Sequence, residues 1–278
     1  MTSAQKLIKY IALALSVLLI VAIFSGILKA AGGIISVLSN EKGNDTTIGN
    51  VSFRDLTNLI TGTEVASLDI ELEYAHLIIQ RGDTFTAETS DESIKATYNV
   101  SKNKLTIKEP HRLFHSTEGA TVIVYVPENT VFDEIEIDSG AGSIKAEDIK
   151  VKTLDLNLGA GKTEFLNLTV TENADIESGA GLIKIDGGAI KNLDLDAGVG
   201  KTEIKSKLLG KCDFDLGIGT TDIGILGSKN DYKIKTSTGI GTISMNGINL
   251  SNDSVIGDGT NEINISGGIG STKITTNE

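Results

Sequence analysis

IEIDSGAGSIKAEDIKVKTLDLNLGAGKTEFLNLTVTENADIESGAGLIKI, residues 135–185, decides the fold. Its Gly-x-Gly pairs continue on both sides of the stretch as a register: Gly140/Gly142, Gly159/Gly161, Gly179/Gly181, Gly198/Gly200, Gly217/Gly219, Gly239/Gly241 and Gly268/Gly270. First glycines are 19, 20, 19, 19, 22 and 29 residues apart. The flanks alternate as half-buried strands do. Ile135, Leu154, Ala174, Leu193, Cys212, Ile234 and Ile263 stand five residues before each pair, and Ile137, Leu156, Ile176, Leu195, Phe214, Thr236 and Ile265 three before. Ile144, Thr163, Ile183, Thr202, Thr221, Ile243 and Thr272 stand two after it, and Ala146, Phe165, Ile185, Ile204, Ile223, Met245 and Ile274 four after. These four columns predict one face; the residues between them predict the other.

A period of about 20 residues is too short for a βαβ unit, which needs about 30. It suits one coil of a solenoid whose coils stack at about 4.8 Å. The reading is therefore all-β, a parallel β-solenoid, with the glycines as a stacked corner needing positive φ or close backbone approach. The two long intervals place their extra residues in loops, one at Gly227–Asn230. Upstream, Leu68, Ile70, Leu77 and Ile79 flank Glu73-Tyr74-Ala75 at the same offsets without glycines, a fainter coil. Strands are also expected at Ile94–Val100, Leu105–Lys108 and Thr121–Val126. Residues 65–130 read as irregular N-terminal coils and 131–278 as the regular solenoid. Ser52-Phe53-Arg54-Asp55 matches a capping box and predicts a short helix through Ile60 that covers the open end.

Tyr10–Leu28, YIALALSVLLIVAIFSGIL, is a run without charge, close to the ~20 residues that cross a bilayer. Lys6 and Lys9 precede it, so residues 1–9 are expected in the cytoplasm and the rest outside. The end of the run lacks a small-x-small cleavage site, which favours one uncleaved transmembrane helix over a removed signal peptide. No Cys follows closely enough for a lipid anchor. Residues 29–64 then form a tether and the short capping helix.

The chain has 278 residues, 31 Gly, no Trp, one Cys and a net charge of −12. That charge argues against nucleic acid, which requires a basic face. A single Cys212, in an inward column, allows no intramolecular disulfide.

These features together resemble the DUF4097 family, bacterial proteins described as candidate adhesins with β-strand repeats. VIVYVPENTVFDEIEIDSGAGSIKAEDI (Val122 to Ile149) and the SGAG and LGAG coils after it carry the likeness, over about residues 65–275. The resemblance implies a parallel solenoid outside the membrane, often in Gram-positive cells and often tied to envelope-stress systems. It implies no catalytic residues.

Outward positions before the glycines are acidic. One column reads Glu136, Asp155, Asp175, Asp194, Asp213; the next reads Asp138, Asn157, Glu177, Asp196, Asp215. Like charges directly opposite one another destabilise a sheet, and Lys145, Lys162, Lys184 and Lys201 are expected to supply part of the compensation. The strip reads either as a solvated face or as a site for a divalent cation such as calcium, for cationic peptides, or for envelope polymers and other envelope proteins. Calcium-binding nonapeptide solenoids need a GGxGxD pattern at a period of about nine, which is absent. No carboxylate pair stands out as an acid/base couple, so no enzyme is expected. His111 and His115 fall in a loop rather than on one helix face, a weak metal arrangement. The alternative to a binding or sensing module is self-assembly, with Ser271–Thr275 as an open terminal edge.

Overall fold

The computed structural model describes residues 53–57, 64–110 and 119–277. The transmembrane run, the tether, His111 and His115 lie outside these residues. Among the described residues no helix is long and apolar enough to cross a membrane.

Described residues are strands and turns. Strand β1 (Arg54–Asp55) precedes β2 (Ser67–Leu72) and β3 (His76–Arg81), the two arms of the first coil. There follow β4 (Thr86–Thr89), β5 (Lys95–Asn99), β6 (Lys104–Lys108), β7 (Thr121–Val126), β8 (Phe132–Ser139) and β9 (Ser143–Glu147). Beyond them the strands run unbroken through their glycine corners: β10 (Lys150–Lys191), β11 (Leu193–Leu209) and β12 (Lys211–Ser228). A 3-10 turn at Lys229–Asp231, capped by the Ser228 side chain, leads to β13 (Tyr232–Met245). Strands β14 (Ile248–Asn249), β15 (Ser254–Ile256) and β16 (Asn261–Asn277) complete a single open, solenoid-like sheet.

The glycine register is the pairing register. Gly181 pairs with Gly200, Gly200 with Gly219 and Gly219 with Gly270, all in parallel. The four apolar columns face inward and are buried almost throughout. A further inward run lies beyond the second arm, at Ile149 and Val151, then Leu168 and Val170. The residue before each run, Asp148 or Asn167, sits in the left-handed region (φ 55° and 57°), which re-phases the alternation. Asn side chains tie these bends together: Asn167 donates to Asp148, and Asn192 donates to Asn173 and to the Glu172 carbonyl while accepting from the Lys211 amide.

The glycine corner is tight because each coil lies on the carbonyls of the one below. A Cβ at Gly200 would stand 1.9 Å from the Gly181 oxygen, and φ there is +150°. The first coil has no glycine. Its corner amides, those of Glu73, Tyr74 and Ala75, all donate to one Glu109 carboxylate oxygen at 2.8–2.9 Å.

Coil order in space departs from chain order at both ends. Strand β2 lies between β6 and β8, and β3 between β7 and β9. Strand β16 lies between β12 and β13. Ser271–Thr275 is therefore interior, not an edge, and the expected open end for self-assembly does not exist there. The outermost edge, on β13, is covered. Strand β15 pairs antiparallel with residues 234–236, the Leu250 amide reaches the Ile243 carbonyl, and β14 pairs with residues 244–245. The other end is covered likewise: β5 is antiparallel to β6, β4 to β7 and β1 to β4. Such covering is how sheets avoid edge-to-edge association.

The expected capping helix is corrected. Arg54 and Asp55 form strand, and the Asp55 carboxylate accepts from the Thr57 amide (2.6 Å) and hydroxyl (2.7 Å). That local turn uses the side chain the capping box required.

Candidate functional site

The first arm of every coil presents two outward positions, set by the alternation that buries Ile, Leu and Phe on the other side. Stacking turns them into two ladders. Asp155 lies opposite Glu136, Asp194 opposite Asp175, and Asp213 opposite Asp194. In the neighbouring ladder Asn157 lies opposite Asp138, Asp196 opposite Glu177, and Asp215 opposite Asp196. All nine acidic residues singled out from sequence thus share one face.

Insertion of the first coil extends the strip in a way the repeat spacing does not reveal. Asp69 and Glu71, at the same offsets in β2, stack against Glu136 and Asp138. The signal was present as alternating acids in SLDIEL (Ser67–Leu72). Insertion at the other end closes the strip with Asn264 and Lys235, then Ser266 and Ser237.

Among the described residues, the cations paired with the strip sit at its two ends. Lys104 bridges Asp69 (3.0 Å) and Glu136 (3.3 Å), and Lys108 pairs with Glu71. At the far end Lys211 meets Asp213 at 2.7 Å, Asn264 donates to Asp213 at 2.7 Å, and Lys235 meets Glu262 at 2.6 Å. Asn157 also donates to Asp138 (2.9 Å) and Asp155 (3.2 Å). Asp175, Glu177, Asp194, Asp196 and Asp215, in the middle of the strip, have no hydrogen bond or ion pair among the described residues.

The expected compensation by lysines after the glycines is corrected. Lys145, Lys162 and Lys201 pair with Glu147, Glu164 and Glu203 on their own arm, two residues along the same strand. That second arm is largely balanced across coils as well, although Glu203 also stands opposite Asp222. Lys145 stands opposite Glu164, Lys184 opposite Glu203, and Asp222 opposite Lys273. One scaffold therefore carries one neutralised face and one uncompensated face.

Titration follows this layout. Burial, then the charges of Asp175, Glu136, Asp138 and Glu177, push the Asp155 carboxyl above its usual value. Burial, then Asp175, Asp196, Asp213 and Asp215, do the same to Asp194. Burial also acts upward on Asp213, but hydrogen bonds from Lys211 and Asn264 and the nearby lysine charges outweigh it and hold that carboxyl low.

The strip is a ladder, not a cage. Among the described residues no three His, Cys, Asp or Glu side chains converge as they would to hold a metal ion. Cys212 is buried in the core and its thiol is pushed up by burial, an inert setting.

Beside the strip runs a shallow, open groove of about 830 Å³. Glu177, Asp196 and Asp215 form one wall, and half-buried Leu158, Ala197 and Leu216 line the floor.

A sequence profile of the family described as Toastrack DUF4097 matches residues 65–266. Solved structures with a similar strand arrangement include a protein from Clostridium sporogenes described as a candidate cell adhesion protein. It is 17% identical, covers 81% of this chain and 98% of its own, and has a TM-score of 0.39. A candidate adhesin from Bacteroides fragilis is 12% identical, covers 80% of this chain and 96% of its own, and has a TM-score of 0.36. No curated protein matches the chain.

Proposed function

The chain belongs to the Toastrack DUF4097 family, and from that premise we propose a non-enzymatic, adhesin-like binding module of the bacterial cell envelope. Tyr10–Leu28 anchors it as a single-pass membrane helix, with the solenoid outside the cell. The acidic face is its working surface. Its ligands are amine-bearing: cationic peptides, envelope polymers, or basic faces of other envelope proteins. Divalent cations such as calcium act on it as diffuse counterions.

One observation carries this reading. Lysines face or flank most of the acids on the second arm, yet among the described residues five carboxylates on the first arm stand without a partner. Like-charge ladders destabilise a sheet by up to about 1 kcal/mol per pair. A surface kept only for solubility gains the same charge from interspersed signs. The unbalanced field draws in cations and raises their association rate.

Two measurements test it. In cells expressing the full chain, the protein should stay with membranes through a high-salt wash and be cut by protease added outside. A labelled Gly/Lys peptide should bind the purified full chain near physiological salt, and the triple variant Asp175→Asn/Asp194→Asn/Asp196→Asn should bind it more weakly. Equal binding by the variant sinks the acidic-face reading.

A further inference from the structure

The middle residues of the Gly-x-Gly pairs run from alanine to β-branched side chains along the chain, and none of them is buried. Successive coils present Ala141, Ala160, Ala180, Val199, Ile218, Ile269 and Ile240, because β16 stands between β12 and β13. The corner thus changes from alanine to a ridge of β-branched side chains at one end of the stack. Ile218, Ile269 and Ile240 are 43%, 49% and 74% exposed. Isolated exposed apolar residues need no explanation, whereas a contiguous row does.

The ridge lies close to the acidic strip. Three residues of chain separate Asp215 from Ile218, at most about 11 Å. The groove lined by Ala197 and Leu216 borders the strip, and these two residues precede Val199 and Ile218 by two positions. Charge selects the occupant. A second copy of the chain would bring its own acidic strip against this one, and an anionic lipid surface would be repelled in the same way.

We propose that the ridge and strip together form a docking surface for a cationic amphipathic helix lying along the solenoid axis. Such a helix is about 10–12 Å across, the width from acids to isoleucines. Its apolar stripe covers Val199, Ile218, Ile269 and Ile240. Beside Val199 and Ile218 its lysines or arginines, one turn apart at about 5.4 Å, meet Asp194, Asp196 and Asp215 on coils about 4.8 Å apart; beside Ile269 and Ile240, where Asn264, Ser266, Lys235 and Ser237 stand, its polar side carries no cation. Three coil steps span about 14 Å, so a segment of about 10 residues fills the ridge. This rests on the acidic-face reading and adds an apolar determinant to it.

The test uses the full chain with two labelled synthetic peptides of equal charge: a 14-residue Leu/Lys amphipathic helix and a Gly/Lys peptide. Binding is read by fluorescence anisotropy at physiological salt and at about 1 M, where the screening length falls to about 3 Å. The native chain should bind the Leu/Lys peptide roughly tenfold tighter and keep that binding at high salt. Ile218→Thr/Ile240→Thr should lose the tenfold preference and retain Gly/Lys binding. Should the double variant not fold, Ile240→Ser alone, at the most exposed position, should reduce the preference measurably. Unchanged preference in these variants, or no preference in the native chain, overturns the ridge and leaves the acidic face standing. Failure of both peptides to bind overturns both.

Discussion

Replacing Gly200 by alanine should be among the most damaging single changes in the solenoid. A Cβ there would stand 1.9 Å from the Gly181 oxygen and 2.9 Å from its carbon. A tolerable carbon–oxygen approach is about 3.3 Å, so adjoining coils must part by about 1.4 Å at the corner. Hydrogen bonds near 2.9 Å cannot survive that gap. Losing two or three, at about 1 kcal/mol each, adds to a backbone strain of about 1–3 kcal/mol for a side chain at φ +150°. The total is about 3–6 kcal/mol, or roughly 6–24 °C in melting temperature for a domain of this size. Gly224→Ala is the control. That residue lies outside the left-handed region, and its nearest neighbour would be the flexible Lys205 side chain at 3.3 Å. It should melt within about 3 °C of the native chain, as surface changes usually do. Thermal unfolding of both variants followed by circular dichroism decides the matter. If Gly200→Ala melts with Gly224→Ala, the corner does not depend on close backbone approach and the coil geometry is misread.

Three further outcomes are expected. Asp155 and Asp194 hold their protons more tightly in the folded chain than unfolded. Acidification from neutral through their raised values should therefore raise the melting temperature, with the gain ending near the usual 3.8. Asp213 and Glu262 act oppositely, and their contribution is lost below that value. Asp155→Asn/Asp194→Asn should flatten the upper limb and stabilise the chain at pH 7 by about 1 kcal/mol. Asn192→Ala should cost about 2 kcal/mol, since it removes hydrogen bonds to two neighbouring coils at φ 50°. Asn192→Gly should cost less, because glycine accepts that φ. Replacing residues 246–260 by a short linker should uncover the β13 edge and produce concentration-dependent oligomers on size-exclusion chromatography; a strictly monomeric product would show that β14 and β15 do not protect the edge.

Stacking partners were legible because the glycine interval is also the pairing offset, and because Ile, Leu and Phe alternate with acids on every first arm. The order of coils was not. Each coil offers the same parallel edge and the same inward Ile or Leu, so nothing in Ile263 or Ile265 names β12 and β13 as neighbours. The further inward run at Leu168 and Val170 was hidden by Asn167, whose left-handed backbone breaks the period of two. The acids of the strip stand in register on the first arms, at the offsets the glycines set. Their counterions were not legible, since Lys145 and Lys201 find glutamates two residues along their own strand before they can reach another arm. Lys104 lies outside the glycine pattern and joins the strip only through the inserted first coil, Lys235 occupies an acidic-column position in a reordered coil, and Lys211 pairs with Asp213 within its own strand.

Strand β13 is synthesised before β16, the strand on which its parallel pairing depends. While the chain is being made, the coil at residues 232–245 has no such partner, and β12 presents an unfilled edge. The stack cannot close by adding coils in the order they emerge. Closure waits for β16 to enter as a keystone, which gives the last coils a high contact order and slow docking. A chain cut short before β16 would lose not one coil but two, together with the isoleucine ridge those coils complete.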